Sequence, residues 1–236
     1  MTRYFPFFFF IFFSYVTTYG QQETLVIDSI YQPDKHYYED QLYFGLSYIV
    51  LKDLPPDVKQ NGFSNSLRFG LIRDFPVNEQ RNFGFGVGFG YSRDVYYHNL
   101  KIYVDEQTGN VLFQSLEGID YKTNSFTVHK LDFPVEIRWR GSTPTKFKFW
   151  RLYTGITISY VLNSESQFVT DKANIIYKKL EISEPWRFGY TLAVGYGLWN
   201  FSLYYGLNNI IKEEIKYNNN PINMRDFHLG VIYYFL

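Results

Sequence analysis

The chain has 236 residues, room for one medium domain, and sets 23 Lys and Arg against 23 Asp and Glu, a formal charge of +0. That balance leaves no global field to attract nucleic acid or another polyanion. The absence of cysteine excludes disulfides, thiolate metal sites, thiol nucleophiles and a lipid-modified N-terminal cysteine.

The chain opens on an export address. Arg3 supplies a positive start, Phe7 to Phe13 an apolar core, and Thr18-Tyr19-Gly20 small residues at the −3 and −1 positions of a cleavage site. The spacing predicts a signal peptide over residues 1–20, cleaved before Gln21. A membrane-spanning helix would need about 20 apolar residues, and Pro6, Ser14, Thr17 and Thr18 interrupt this one. Residues 21–40 read as a periplasmic lead-in with a short strand around Thr24 to Ile27.

From residue 41 onward the dominant period is two. Leu42, Phe44, Leu46, Tyr48 and Val50 oppose Tyr43, Gly45 and Ser47, and Leu67, Phe69 and Leu71 oppose Arg68, Gly70 and Ile72. The clearest segment sets Phe83, Phe85, Val87, Phe89 and Tyr91 against Gly84, Gly86, Gly88 and Gly90. Such alternation is a strand with one apolar face, and four glycines would each weaken a helix by about 1 kcal/mol. Leu131 to Arg140, Trp150 to Tyr160, Trp186 to Tyr196, Phe201 to Leu207 and Phe227 to Phe235 repeat the pattern. The segments number about eight, and most have the roughly ten residues that a tilted strand needs to cross a bilayer. The sequence thus predicts an all-β fold: an eight-stranded, antiparallel, up-and-down transmembrane barrel over residues 41–236.

A soluble barrel would turn the apolar face inward and a membrane barrel turns it outward, so alternation alone does not separate the two. The connections favour the membrane. After the first pair they alternate between short turns (Pro76 to Asn82, Gly141 to Phe149, Leu198 to Asn200) and long loops (Asp105 to Ser125, Asn163 to Pro185, Ile211 to Met224), with Leu54 to Gly62 a shorter connection on the long-loop side, as in bacterial outer-membrane barrels. Trp139, Trp150 and Trp199 flank the short turns and Trp186 begins a strand at the opposite rim, which predicts an interfacial girdle at each membrane surface. The aromatic share of 22% fits, and a mean hydropathy of −0.24 is ordinary for strands that face lipid only at every second position.

The final strand resembles the C-terminal recognition signal of outer-membrane barrels, with His228, Gly230, Tyr233 and Phe235 in its places and Leu236 as a departure. From about Gln41 to Leu236 the chain resembles the small porin-family or PorT-like outer-membrane barrels of Bacteroidota. The resemblance is carried by Leu42-Tyr43-Phe44-Gly45-Leu46, by Leu131 to Arg140, and by Phe149 to Gly155. It implies contact with outer-membrane lipid, insertion by the barrel-assembly machinery, and for the PorT branch an envelope partner in protein secretion or gliding motility.

Chemistry is sparse. The inward face carries Arg68, Asp74, Asp132, Glu136, Arg138, Arg140, Arg151, Arg187 and Asp226. In a barrel whose interior side chains just fill these charges should pair, with the bare glycine face leaving room for arginines; Arg68, Asp132, Glu136, Arg138 and Arg187 are the expected polar cluster. The alternative is a narrow pore for small solutes. His36, His98, His129 and His228 show no metal spacing, and neither metal nor cofactor is expected. A rim enzyme would have to use His98 and His129 facing each other, with Ser92 and Asp94 near them; no spacing singles these out, and the expectation is a non-enzymatic protein.

Overall fold

The structure, a computed structural model, describes residues 39–141, 150–197 and 199–235. The expected signal peptide and nearly all of the lead-in, with its short strand, lie outside the described residues. Thirteen strands follow one another: β1 (Glu39–Lys52), β2 (Asn65–Pro76), β3 (Phe83–Tyr97), β4 (Leu100–Val104), β5 (Val111–Ser115), β6 (Thr123–Arg140), β7 (Trp150–Val169), β8 (Asn174–Lys178), β9 (Trp186–Tyr196), β10 (Trp199–Gly206), β11 (Lys216–Tyr217), β12 (Asn220–Pro221) and β13 (Arg225–Phe235). β8 ends a nine-stranded sheet; the other eight strands of that sheet close on themselves through the β6–β7 pairing. Every ladder is antiparallel, and β1 pairs with β13 from Leu42↔Phe235 to Lys52↔Arg225. The barrel therefore has no free edge within its wall. It begins at Glu39, two residues before the alternation becomes legible at Gln41.

Which face points outward is settled by burial. Leu42 is 55% exposed, Phe85 49% and Phe201 53%, while Arg138 and Asp226 on the opposite face are 0% exposed. Outward positions from Leu42 to Leu46, Phe83 to Tyr91, Leu131 to Trp139, Trp150 to Leu162 and Trp186 to Tyr196 carry no charged side chain. An uncharged apolar wall around a charged interior is the reverse of a soluble barrel and suits hydrocarbon outside. The outward charges sit at the ends: Asp40 and Arg73, paired across β1 and β2, lie at the short-turn end.

Beyond the belt the pattern inverts. Along β6, outward positions change from apolar (Leu131, Phe133, Val135, Ile137, Trp139) to polar (Ser125, Thr127, His129), and inward positions change from charged to apolar at Val128 and Phe126. That exchange marks the end of the apolar belt. β7 makes the same exchange with a bulge, since His129 pairs with Asn163 and Lys130 with Val161, leaving Leu162 as the extra residue. The bulge moves even-numbered residues from the outer to the inner face, so Ser164, Ser166 and Phe168 are buried. β6 and β7 thus run on to Thr123 and Val169, through residues that alternation alone had assigned to loops.

The long connections fold inward over this extension. The hairpins β4–β5 and β11–β12 sit in them, the latter turning on Asn218 and Asn219, both with positive φ (50° and 64°) as a two-residue hairpin loop requires. Val58, Leu100, Ile102, Leu180, Ile182, Ile210, Ile211, Ile222 and Met224 from the loops meet Ile49, Leu51, Tyr96, Phe126 and Val128 from the wall in one buried apolar cluster. This apolar cluster caps the long-loop mouth.

Candidate functional site

Below the cap the lumen is a stack of ion pairs. Nearest the cap, Lys130 Nζ lies 2.5 Å from Asp94 Oδ2, and Arg187 Nη2 2.6 Å from Asp226 Oδ1. The Tyr96 hydroxyl donates to Asp226 Oδ2 at 3.0 Å. His228 Nε2 lies 2.9 Å from the same oxygen, and Arg68 Nη2 3.3 Å from His228 Nδ1. A guanidinium only donates and a carboxylate only accepts, so these partners place the imidazole proton on Nε2. Arg68 and Lys130 also face the Tyr204 ring, at 5.3 and 5.6 Å from its centre.

The middle and lower lumen continue the pattern. Ser159 Oγ donates to Asp132 at 2.6 Å. Arg138 donates to Glu136 and to Gln41 Oε1, each at 3.0 Å, and its guanidinium lies 4.4 Å over the Tyr153 ring. Arg140 pairs with Asp74. The bare face of β3 makes this possible: a Cβ at Gly86 would lie 2.6 Å from Arg138 Nε, and the Tyr43 hydroxyl occupies the space a side chain at Gly90 would need. Between these layers remains a cavity of about 30 Å³, bordered by Arg68, Asp132, Glu136, Thr157 and Tyr234, polar enough and roomy enough to hold water.

The expected cluster of Arg68, Asp132, Glu136, Arg138 and Arg187 therefore does face inward. It is spread along the lumen in separate pairs, not gathered in one ring. Sequence reasoning missed Lys130, Tyr96 and Tyr204 and the inward roles of Asp94 and His228. Their signal was present: Asp94, Tyr96 and Lys130 continue an inward register beyond the apolar run of their strands, and Tyr204 and His228 hold inward positions within theirs. Of the other residues in the expected C-terminal signal, Tyr233 and Phe235 are on the outward face and Gly230 backs onto Leu46 and Ser47 of β1. Trp139, Trp150 and Trp199 project outward beside the short turns, Trp150 against Tyr196 at 5.6 Å and Trp199 against Tyr233 at 5.2 Å. Trp186 projects at the other rim, 5.0 Å from Tyr160.

The imagined rim constellation does not assemble. Ladder register sets Arg93, not His98, opposite His129. His129 turns outward to the Tyr91 hydroxyl at 2.5 Å. His98 is fully buried, with Nδ1 accepting from the Leu100 N–H at 3.2 Å, and burial pushes its pKa down to about 4. Asp94 is committed to Lys130. Asp94, Asp226 and His228 do bring ligand atoms within 4.8 Å of one another. They fit a metal poorly, because Lys130 and Arg187 already neutralise both carboxylates and a divalent ion would face those cations.

The model of the family described as "Outer membrane protein beta-barrel domain" matches residues 21–212. The chain belongs to that family. It is accordingly a barrel of the bacterial outer membrane. No curated protein matches it. Among solved structures it is similar to Ail, the attachment invasion locus protein of Yersinia pestis, at 10% identity over 84% of this chain and 99% of that one, with a TM-score of 0.31. Two mutants of the Rh. blastica porin are similar at 6 and 7% identity, each over 84% of this chain and 100% of theirs, with a TM-score of 0.21. The closed ladder and the family match, not these likenesses, carry the fold.

Proposed function

We propose that this outer-membrane barrel is non-conducting and non-enzymatic, and that it works through its outer face by binding an envelope partner. The observation that supports this is the double obstruction of the lumen: a buried apolar cluster at the outer mouth and ion pairs below it. A hydrated ion would have to cross both. In planar bilayers the purified protein is expected to show no stable channel; a steady unitary conductance would overturn this reading and favour the narrow pore that the lumen charges suggest. If the lumen does conduct, replacing Glu136 and Arg138 together by Gln and Met should change ion selectivity.

The non-enzymatic part draws support from the separation of His98, His129 and Asp94. Replacing His98 and His129 should leave envelope lipids and peptides unmodified relative to wild type. The resemblance to PorT-like barrels of Bacteroidota supports a partner in protein secretion or gliding machinery, and crosslinking in native membranes followed by identification of the captured proteins tests it. In this reading a cleaved signal over residues 1–20 directs export and the barrel-assembly machinery reads the last strand. N-terminal sequencing of the mature protein should begin at Gln21.

A further inference from the structure

The long-loop side carries a groove of mixed aromatic and carboxamide chemistry. It has a volume of about 490 Å³ and lies between the β1–β2 loop and the roots of β3 and β6, within the usual range of small-molecule sites. Its walls are aromatic and carboxamide: Phe63, Tyr97 and Tyr121 with Asn61, Asn65 and Asn124. Its one charged residue, Lys122, has its ammonium 2.8 Å from Asp171.

Asn124 decides what the groove lacks. It is 2% exposed, and its Nδ2 donates to two carbonyls, His98 O at 2.7 Å and Leu100 O at 2.9 Å. Both amide hydrogens are spent, which fixes the orientation of the group. Its Oδ1 is buried with no hydrogen-bond partner among the described residues, and a buried acceptor left so is unfavourable. A donor reaching it from the groove, from water or from a ligand, would complete it. At the lip, Phe63 is 66% exposed, its ring held 5.1 Å from that of Tyr48. The frame is stitched in advance: Asn61 N–H donates to Tyr97 O at 3.0 Å, Tyr97 N–H to Ser64 Oγ at 2.9 Å, and Asn61 Nδ2 to the Tyr121 hydroxyl.

We propose that this groove binds a neutral saccharide of two or three rings. Apolar C–H faces of sugar rings suit Phe63 and Tyr97, hydroxyls suit the carboxamides, and one hydroxyl donates to Asn124 Oδ1. An anionic ligand is disfavoured because the single lysine is already paired. The proposal rests on the reading that the outer face is the working surface and deepens it; bilayer conductance tests that reading separately, so either can fail alone. The rival role for Phe63 is an aromatic anchor in the membrane interface, which predicts no sugar binding.

The test is saturation-transfer NMR on the full-length protein refolded in detergent, with maltotriose, cellotriose, mannotriose and chitotriose as probes. At least one should receive saturation on its ring C–H protons. Phe63→Ala should weaken that binding by about tenfold, the usual cost of losing an aromatic anchor, and Phe63→Trp should retain it. Phe63 is exposed, so its variants should keep the unheated gel mobility of a folded barrel, which is checked in parallel. No transfer to any of the four sugars, or equal transfer with Phe63→Ala, overturns the proposal. Two sources share this chemistry, free oligosaccharide and the glycan of outer-leaflet lipid. In bilayers of lipopolysaccharide with its glycan, loss of probe binding assigns the site to the surface glycan; undiminished binding there assigns it to free sugar.

Discussion

Asp226 shows how single residues depend on one another in this lumen. It is fully buried and holds Arg187, His228 and Tyr96 at once. Removing one partner of such a pair leaves a charge in a dry interior, a loss of about 3–5 kcal/mol, whereas replacing both by apolar groups is often nearly neutral. Arg187→Leu should therefore lower the urea midpoint of the folded barrel markedly, and Arg187→Leu with Asp226→Leu should recover most of it. A double variant as unstable as the single one would mean that His228 and Tyr96 depend on the carboxylate as much as Arg187 does. His98 gives a pH dependence of definite sign. Its folded pKa of about 4 lies below the ordinary value of 6.5, so as pH falls the unfolded chain takes up the proton first. Its contribution is complete above about pH 6.5 and is lost progressively down to about pH 4. His98→Gln should flatten stability over that window, measured by unfolding midpoints at pH 4.5, 5.5 and 7; an unchanged profile would sink the assignment.

At the scale of elements, β6 joins two segments of opposite polarity. From Leu131 to Arg140 it is apolar outside and charged inside; from Asn124 to Val128 it is polar outside with Phe126 and Val128 inside. The cap that receives Phe126 has the cohesion of an ordinary core, so Phe126→Ala should cost about 3–5 kcal/mol. The loss should concentrate in the cap, because the ion pairs below belong to different layers. Limited proteolysis should then cut the long loops faster while the barrel keeps its unheated gel mobility; cleavage no faster than in wild type would show that the cap does not depend on Phe126. The sequence carried this inversion, but its reading stopped where the apolar outward run stopped. In β7 the cause was the bulge at Leu162, which breaks period two without ending the strand. In the loops the apolar residues come in short alternating bits, Leu100 with Ile102, Leu180 with Ile182, Ile222 with Met224. Each is too brief to announce a core, and only their convergence makes one.

At the scale of the whole molecule, the barrel depends on its seam between first and last strands. Gly230 of β13 stands against Ser47 and the Leu46 carbonyl of β1, where a Cβ would meet backbone and not only movable side chain. Gly230→Val should hinder closure, and the unheated, compact band on a gel should disappear; a variant that folds with unchanged mobility would show that the seam has slack. The sequence by itself determined the barrel, its apolar outer face and the inward set from Arg68 to Asp226. These follow from a side-chain period of two and from loop lengths, both local properties of the chain. Which charge meets which, and that Lys130, Asp94 and His228 join them, was decided only by ladder register. The closed outer mouth was decided by loops distant in sequence folding onto one another. Pairings across strands depend on stagger, and a core built from several loops depends on their meeting in space. Neither leaves a periodic trace along the chain.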